Sequence, residues 1–329
     1  MDRRTFLAVL GGIVIASPRA ANAQPASGVP TIGFLGPPLA AGGMLPAFQQ
    51  GLAELGYVDG KNVKIEYRYN VAIDSNIDRL KELAAELVRL KPEVLVASLT
   101  EVALVAKGAT STIPIVMANA SDPVAAGLVA SLAHPGGNVT GVARQTPDLI
   151  AKQLQLLKEA LPRTSRVGVL LSKSSGRLES AIVEAVNRTA ASLGMQIGFV
   201  TATTTLEIEQ AFLTLRSVRA DALVVSGGGV FYLTRVEIAD LARKHRLPSV
   251  YSYREAVTAG GLMSYGENSA ANYRRAAYFV DKILKGANPA DLPVEQSAKF
   301  EFTINLKTAK ALGIAIPQTL IVRADELVE

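Results

Sequence analysis

Short apolar runs alternate with longer amphipathic ones along most of the chain. Thr31-Ile32-Gly33-Phe34-Leu35 has the length of a buried strand, and residues 45–55 carry apolar positions at helical spacing up to Gly56. Residues 63–69 alternate apolar and polar, which predicts a strand. Residues 76–90 place Ile77, Leu80, Leu83, Ala84, Leu87 and Val88 on one helical face. Pro92 then precedes the apolar strand 94–97, a helix is predicted over 100–109, and Ile113–Met117 reads as the next strand. Parallel strands need long crossovers, usually helices, so this order predicts a parallel sheet covered on both faces.

The second half repeats the order. Residues 166–171 predict a strand, 178–192 a helix stopping at Leu193-Gly194, 195–201 a strand and 205–216 a helix. Ala222-Leu223-Val224-Val225-Ser226 matches Val94-Leu95-Val96-Ala97-Ser98, and Leu247-Pro248-Ser249-Val250-Tyr251 matches Ile113-Pro114-Ile115-Val116-Met117. The copies start roughly 135 residues apart, a spacing of domains and not of solenoid repeats. The expected fold class is α/β: two similar doubly wound parallel-sheet lobes joined by a hinge, with a ligand cleft between them. The first lobe is expected over 29–143 with 262–290 returning to it. The second is expected over 144–261 with 291–329 returning. The crossings are placed near 142–146 and 258–264, where Gly260-Gly261 suits a hinge.

The first residues break the pattern. Arg3-Arg4 and the apolar run Phe6–Ser17 are followed by Ala21-Asn22-Ala23, which has the charge, apolar length and small-x-small site of a cleaved export signal. Cleavage is expected after Ala23, leaving the mature protein in the periplasm. Arg-Arg-x-Phe-Leu also fits a twin-arginine signal, with general secretion as the other route. Three of the 34 basic residues and one of the 29 acidic ones lie in residues 1–23, so 31 basic and 28 acidic residues remain. That balance, with both signs interspersed, argues against a nucleic-acid partner. The chain has no cysteine, which removes disulfides and thiolate chemistry. His134 and His245 share no ligand-like spacing, and no Gly-x-Ser-x-Gly elbow is present, so no cofactor, metal or catalytic residue is expected.

In open α/β sheets the binding crevice lies beyond the carboxyl ends of the strands. The loops there are 35–38, 98–100 and 118–122 in the first half, and 172–177, 226–231 and 252–255 in the second. They supply the candidate ligand-binding residues Leu35, Gly36, Ser98, Thr100, Asn119, Asp122, Ser172, Ser174, Ser226, Gly227, Phe231, Tyr251 and Glu255. Helix N-termini at these loops suit an anionic group such as a carboxylate. Asp122 has two readings, a partner for a ligand ammonium and a helix N-cap followed by Pro123. Thr100 has the same two. Phe231 and Tyr251 suit stacking on a ligand or ordinary packing, and Glu255 suits a basic group or the surface.

Longer motifs carry a family resemblance. Gly56-Tyr57-Val58-Asp59-Gly60-Lys61-Asn62-Val63, Leu132-Ala133-His134-Pro135-Gly136-Gly137-Asn138-Val139-Thr140-Gly141, Gly260-Gly261-Leu262-Met263-Ser264-Tyr265-Gly266 and Asn305-Leu306-Lys307-Thr308-Ala309-Lys310-Ala311-Leu312-Gly313 resemble the ABC-transporter substrate-binding family that includes tryptophan-binding members. The resemblance implies a type I periplasmic-binding fold, a small-molecule ligand such as an amino acid, transient contact with a membrane permease, and no enzymatic activity. A monomer is expected. Glu101 stands where the family has a proline in its Thr-Pro-Ala-type loop, and Gly227-Gly228-Gly229-Val230-Phe231 replaces an Asp-Pro-Leu-Phe-type loop. The competing readings are an exported α/β hydrolase with carboxylates in the cleft and a ligand-sensing module of a membrane receptor.

Overall fold

The computed structural model describes residues 28–37, 43–70, 77–172 and 177–329. The export segment expected over 1–23 and the candidate Ser174 lie outside them. In chain order the first half runs β1 (Thr31–Gly36), α1 (Met44–Glu54), β2 (Lys64–Tyr69), α2 (Ile77–Arg89), β3 (Val94–Ala97), α3 (Thr100–Ala109), β4 (Ile115–Ser121) and β5 (Val139–Arg144). The second half runs α4 (Thr146–Ala160), β6 (Arg166–Ser172), α5 (Arg177–Ser192), β7 (Gln196–Ala202), α6 (Thr205–Ser217), β8 (Ala222–Val225), α7 (Gly229–Leu233), α8 (Arg235–Lys244), β9 (Ser249–Tyr251), α9 (Arg254–Thr258) and β10 (Met263–Glu267). The chain then continues through α10 (Ser269–Leu284), β11 (Glu295–Gln296), β12 (Phe300–Asn305), α11 (Leu306–Leu312), α12 (Gln318–Ile321) and β13 (Glu326–Val328).

The strands form two sheets, β11-β5-β4-β3-β1-β2 and β13-β12-β10-β9-β8-β6-β7. All ladders are parallel except β10 with β12. Strands β1, β3 and β4 occupy in one sheet the places of β6, β8 and β9 in the other, which is the repeat read from the sequence. Central strands such as β3 and β8 are buried along their whole length, as helices on both faces require. Each sheet has an apolar cluster on each face, built around Phe34 and Leu95 in the first lobe and around Val169 and Phe212 in the second.

The chain crosses between lobes three times, after Arg144, after Glu267 and between Gln296 and Phe300. The expected second crossing at 258–264 is therefore displaced. Strand β10 pairs with β9 and β12 in the second sheet, so the return to the first lobe begins at Asn268 and not at 262. Residues 291–296 also stay with the first lobe, where β11 pairs with β5. Gly260 and Gly261 serve packing instead of a hinge. Gly260 has φ +112°, a conformation costly for other residues, and a Cβ on Gly261 would strike the Tyr251 ring.

Candidate functional site

The carboxyl ends of β1, β3 and β4 face those of β6, β8 and β9 across the gap between the lobes, and two cavities lie there. The smaller, about 50 Å³, is the floor of the cleft. Its walls come from Thr100, Asn119 and Ser121 of the first lobe and from Ser172 and Ser226–Gly229 of the second. Arg144 and Thr146, at the first crossing, close it from below. The larger chamber, about 380 Å³, has walls from Gly43 and Asn268–Ala270 on one side and from Ser252–Glu255, Thr258 and Glu301 on the other. Tyr253 lines both cavities.

Arg144 is the last residue of β5, and its side chain is 3% exposed. Its Nε donates to Glu267 Oε2 at 2.6 Å, and Glu267, the last residue of β10, has a fully buried side chain. The other Glu267 oxygen accepts from the Gln145 backbone N–H at 2.7 Å. One ion pair thus ties the first crossing to the second. A further Arg144 nitrogen donates to Tyr253 Oη at 3.1 Å, and that oxygen also accepts from the Gly228 N–H at 3.0 Å. Burial works against the guanidinium charge, but Tyr253 and Glu267 outweigh it and hold the Arg144 pKa above its ordinary value. A Cβ on Gly227 would strike the guanidinium, so this loop approaches Arg144 as only glycine allows. Among the described residues Thr146 Oγ1, in a residue 4% exposed, has no hydrogen-bond partner.

One wall of the chamber carries Glu255 and Glu301 beside Arg254, which is paired with Glu326. Burial, the largest influence, raises the Glu255 carboxyl above the usual range; its own backbone N–H and the charges of Arg254 and Arg235 pull the other way. Glu301 accepts a hydrogen bond from Asn268 Nδ2, and Asn268 Oδ1 accepts from the Ala271 N–H at 2.7 Å, capping α10. Beneath that helix start, Asn119 Oδ1 accepts from Asn272 Nδ2 at 3.0 Å, and Asn272 Oδ1 accepts from Ser297 Oγ at 2.9 Å. The third crossing is thereby joined to β4. Among the described residues no group of three or more His, Asp or Glu side chains is placed to hold a metal ion.

The candidates read from the sequence divide three ways. Thr100, Asn119, Ser172, Ser226 and Gly227 meet at the cleft floor, and Glu255 lines the chamber. Thr100 Oγ1 accepts from the Ser121 N–H at 2.8 Å, so its hydroxyl fixes the last residue of β4. Leu35, Phe231 and Tyr251 are core residues at 1–2% exposure and line neither cavity. Tyr251 points into the second lobe, where its hydroxyl accepts from Ser249 Oγ, because β9 turns alternate side chains to opposite faces. Gly36 packs against Ser98, leaving no room for a Cβ.

Asp122 is the clearest correction. It lines neither cavity, has φ +32°, and its Oδ1 accepts from the Ala125 N–H at 3.0 Å. The capping bond exists, but it starts a series of turns instead of a helix. Arg144, Thr146, Glu267, Asn268 and Glu301 were not among the candidates. For Arg144 and Glu267 the signal is a single charge closing a buried strand, in Val139–Arg144 and in Met263–Glu267, at points where the chain changes lobe.

Residues 42–328 match the family model described as ABC transporter substrate binding protein. A tyrosine-binding protein from Clostridioides difficile (strain R20291) is 29% identical over 268 residues, spanning 81% of this chain and 75% of that protein. The crystal structure of an ABC domain from Streptococcus pneumonia in complex with L-Trp superposes with a TM-score of 0.83 at 28% identity, covering 92% of this chain and 100% of that one. The ligand-free, open structure of a substrate-binding protein with adhesive properties from Clostridium difficile reaches 0.67 at 26% identity, covering 92% and 99%. Identity and coverage hardly differ between the two structures. Over its whole length the chain superposes more closely on the tryptophan complex than on the open structure.

Proposed function

The chain belongs to the ABC transporter substrate-binding protein family, and from that premise we propose that it captures an amino acid, or a similar carboxylate-bearing solute, between its lobes and presents it to a membrane import system. The observation that carries this reading is the chamber of about 380 Å³ walled by both lobes. That volume is within the range of small-molecule sites, and polar groups converge on it from two rigid bodies. Capture needs no chemical step. The solute makes contacts with both walls that exist only when the lobes are together, so binding shifts the population toward the closed form. The permease then reads closure as occupancy.

The relatives direct the choice of solute. One is a tyrosine-binding protein and another holds L-Trp, so aromatic amino acids lead the panel. The Tyr253 ring, shared by both cavities, offers an aromatic solute a packing surface. Isothermal titration of the mature protein against the twenty amino acids is expected to give saturable binding of at least one aromatic member, with the molecule recovered unchanged. Absence of binding across the panel sinks the amino-acid reading, and turnover sinks the transport reading.

Export belongs to the same proposal. The segment over residues 1–23 directs the chain to the periplasm, where such a protein meets solute before the permease does. Amino-terminal sequencing of periplasmic protein is expected to begin at Gln24. Protein that keeps Met1 and stays in the cytoplasm contradicts it.

A further inference from the structure

Two cavities of unequal size share one wall, and their chemistry differs. The centre of a water molecule needs about 10–15 Å³ of free volume. The floor, at about 50 Å³, has room for a few water-sized groups and is much the smaller space, so it suits the small polar end of a solute. The chamber, at about 380 Å³, has room for the remainder of such a solute. The two spaces adjoin, because Arg144 lines the floor, Glu267 lines the chamber, and they are joined at 2.6 Å.

We propose that Arg144 and Thr146 receive the solute's carboxylate in the cleft floor, and that this contact sets the direction in which the solute lies. This assignment rests on the amino-acid reading given above. The floor offers a buried guanidinium, of which the Glu267 and Tyr253 bonds use only Nε and one terminal nitrogen. It also offers the Thr146 hydroxyl, buried without a partner among the described residues. A buried hydroxyl without a partner costs stability, so its presence on a cavity wall points to a group that arrives with the ligand. Helix α3 opens onto the same space with Leu99, whose side chain supplies no cap. Its first N–H groups add donors for an anion. Glu101 also lines the floor, so its charge opposes any anionic group beyond the one that Arg144 receives.

The geometry also couples the site to the hinge. Arg144 ends the strand before the first crossing, and Glu267 ends the strand before the second. A carboxylate on Arg144 thus adds its charge to an ion pair that already clamps both crossings. The ammonium on the same α-carbon then faces the chamber, toward a wall where Glu255 and Glu301 stand beside Arg254, whose own charge is paired with Glu326.

The test compares L-tyrosine and L-tryptophan with their primary amides, which keep the ring and the ammonium and lose only the carboxylate charge. Titration calorimetry on the mature wild type is expected to favour each acid over its amide by about a hundredfold. Thr146→Val keeps the shape and loses a buried hydroxyl that has no partner among the described residues, so its ligand-free melting temperature should equal or exceed that of the wild type. Its acid-to-amide preference should fall by about fivefold to tenfold. Arg144→Lys keeps the charge opposite Glu267 but loses the planar fork, and its preference should fall further. Equal affinity of wild type for acid and amide overturns the carboxylate assignment while leaving the amino-acid reading intact. So does an undiminished preference in both folded variants. Failure of the wild type to bind either acid or amide instead removes the amino-acid reading on which this assignment rests.

Discussion

Glu255 shows how a single side chain reports its surroundings. Its carboxyl lies at the wall of the chamber, and burial there raises its pKa. The folded state therefore holds the proton more tightly than the unfolded chain. The resulting stabilisation is fully present below the ordinary glutamate value of about 4.3 and is lost as pH rises through the raised folded value. At pH 7 the ionised group is a burden on the ligand-free fold. Glu255→Gln should thus raise the melting temperature at pH 7, and the gain should vanish toward pH 4. Calorimetric scans at the two pH values check this, and a gain that persists or grows in acid contradicts it. Asp122 teaches the converse. Its residue type suited two roles, and its backbone at φ +32° directs the carboxylate to the Ala125 N–H instead of either cavity.

At the scale of elements, the start of α10 does more than begin a helix. Asn268 caps it through the Ala271 N–H and reaches Glu301 at the edge of the second sheet. The helix then packs against α1 through Gly51, where a Cβ would collide with the Arg274 carbonyl. Asn268 is thus a cap placed on a crossing. Asn268→Ala should cost about 1 kcal/mol through the lost cap. Asn268→Asp keeps the acceptor and should recover most of that loss in urea unfolding. It also places a second carboxylate beside Glu301, so its recovery should be poorer at neutral pH than in acid. Equal stability of the Ala and Asp variants would show that the cap carries no weight here. Elements whose role is purely local are simpler. Thr204 caps α6 by accepting from the Glu207 N–H at 3.2 Å, as a Thr three residues before a Glu suggests.

For the whole molecule, three crossings and two cavities define one motion. The crossings permit the lobes to rotate, and Arg144, Glu267, Asn272 and Ser297 bind the crossings to one another at the base of the cleft. A solute that touches both lobes should therefore contract the molecule without disturbing either sheet. Small-angle scattering is expected to show a smaller radius of gyration when a saturating aromatic amino acid is added to the mature protein. Saturation at a hundred times Kd should also add about 2.7 kcal/mol to the stability of the folded state. An unchanged radius together with tight binding would mean that capture occurs without closure.

The local order of this chain is written in its sequence. The strand at 31–35, the helix at 76–90 and the paired runs at 94–97 and 222–225 were legible because side-chain periodicity and glycine or proline stops act over a few residues. The doubling of the pattern announced two lobes, since each half carries enough apolar surface for a core of its own. The loops at the strand ends were legible too, and six of the residues expected there do line the cavities. What those loops present was decided elsewhere. Phe231 and Tyr251 turned into the core because strand and helix register assigns each side chain a face. Gly260-Gly261 became a packing contact, and the chain crossed later, because β10 was needed to extend the second sheet. Arg144 and Glu267 lie 123 residues apart, and neither has a local pattern that announces the other. Their meeting depends on where two crossings fall side by side. A long-range contact of two buried charges is set by the packing of both lobes at once, and only the tertiary structure specifies that.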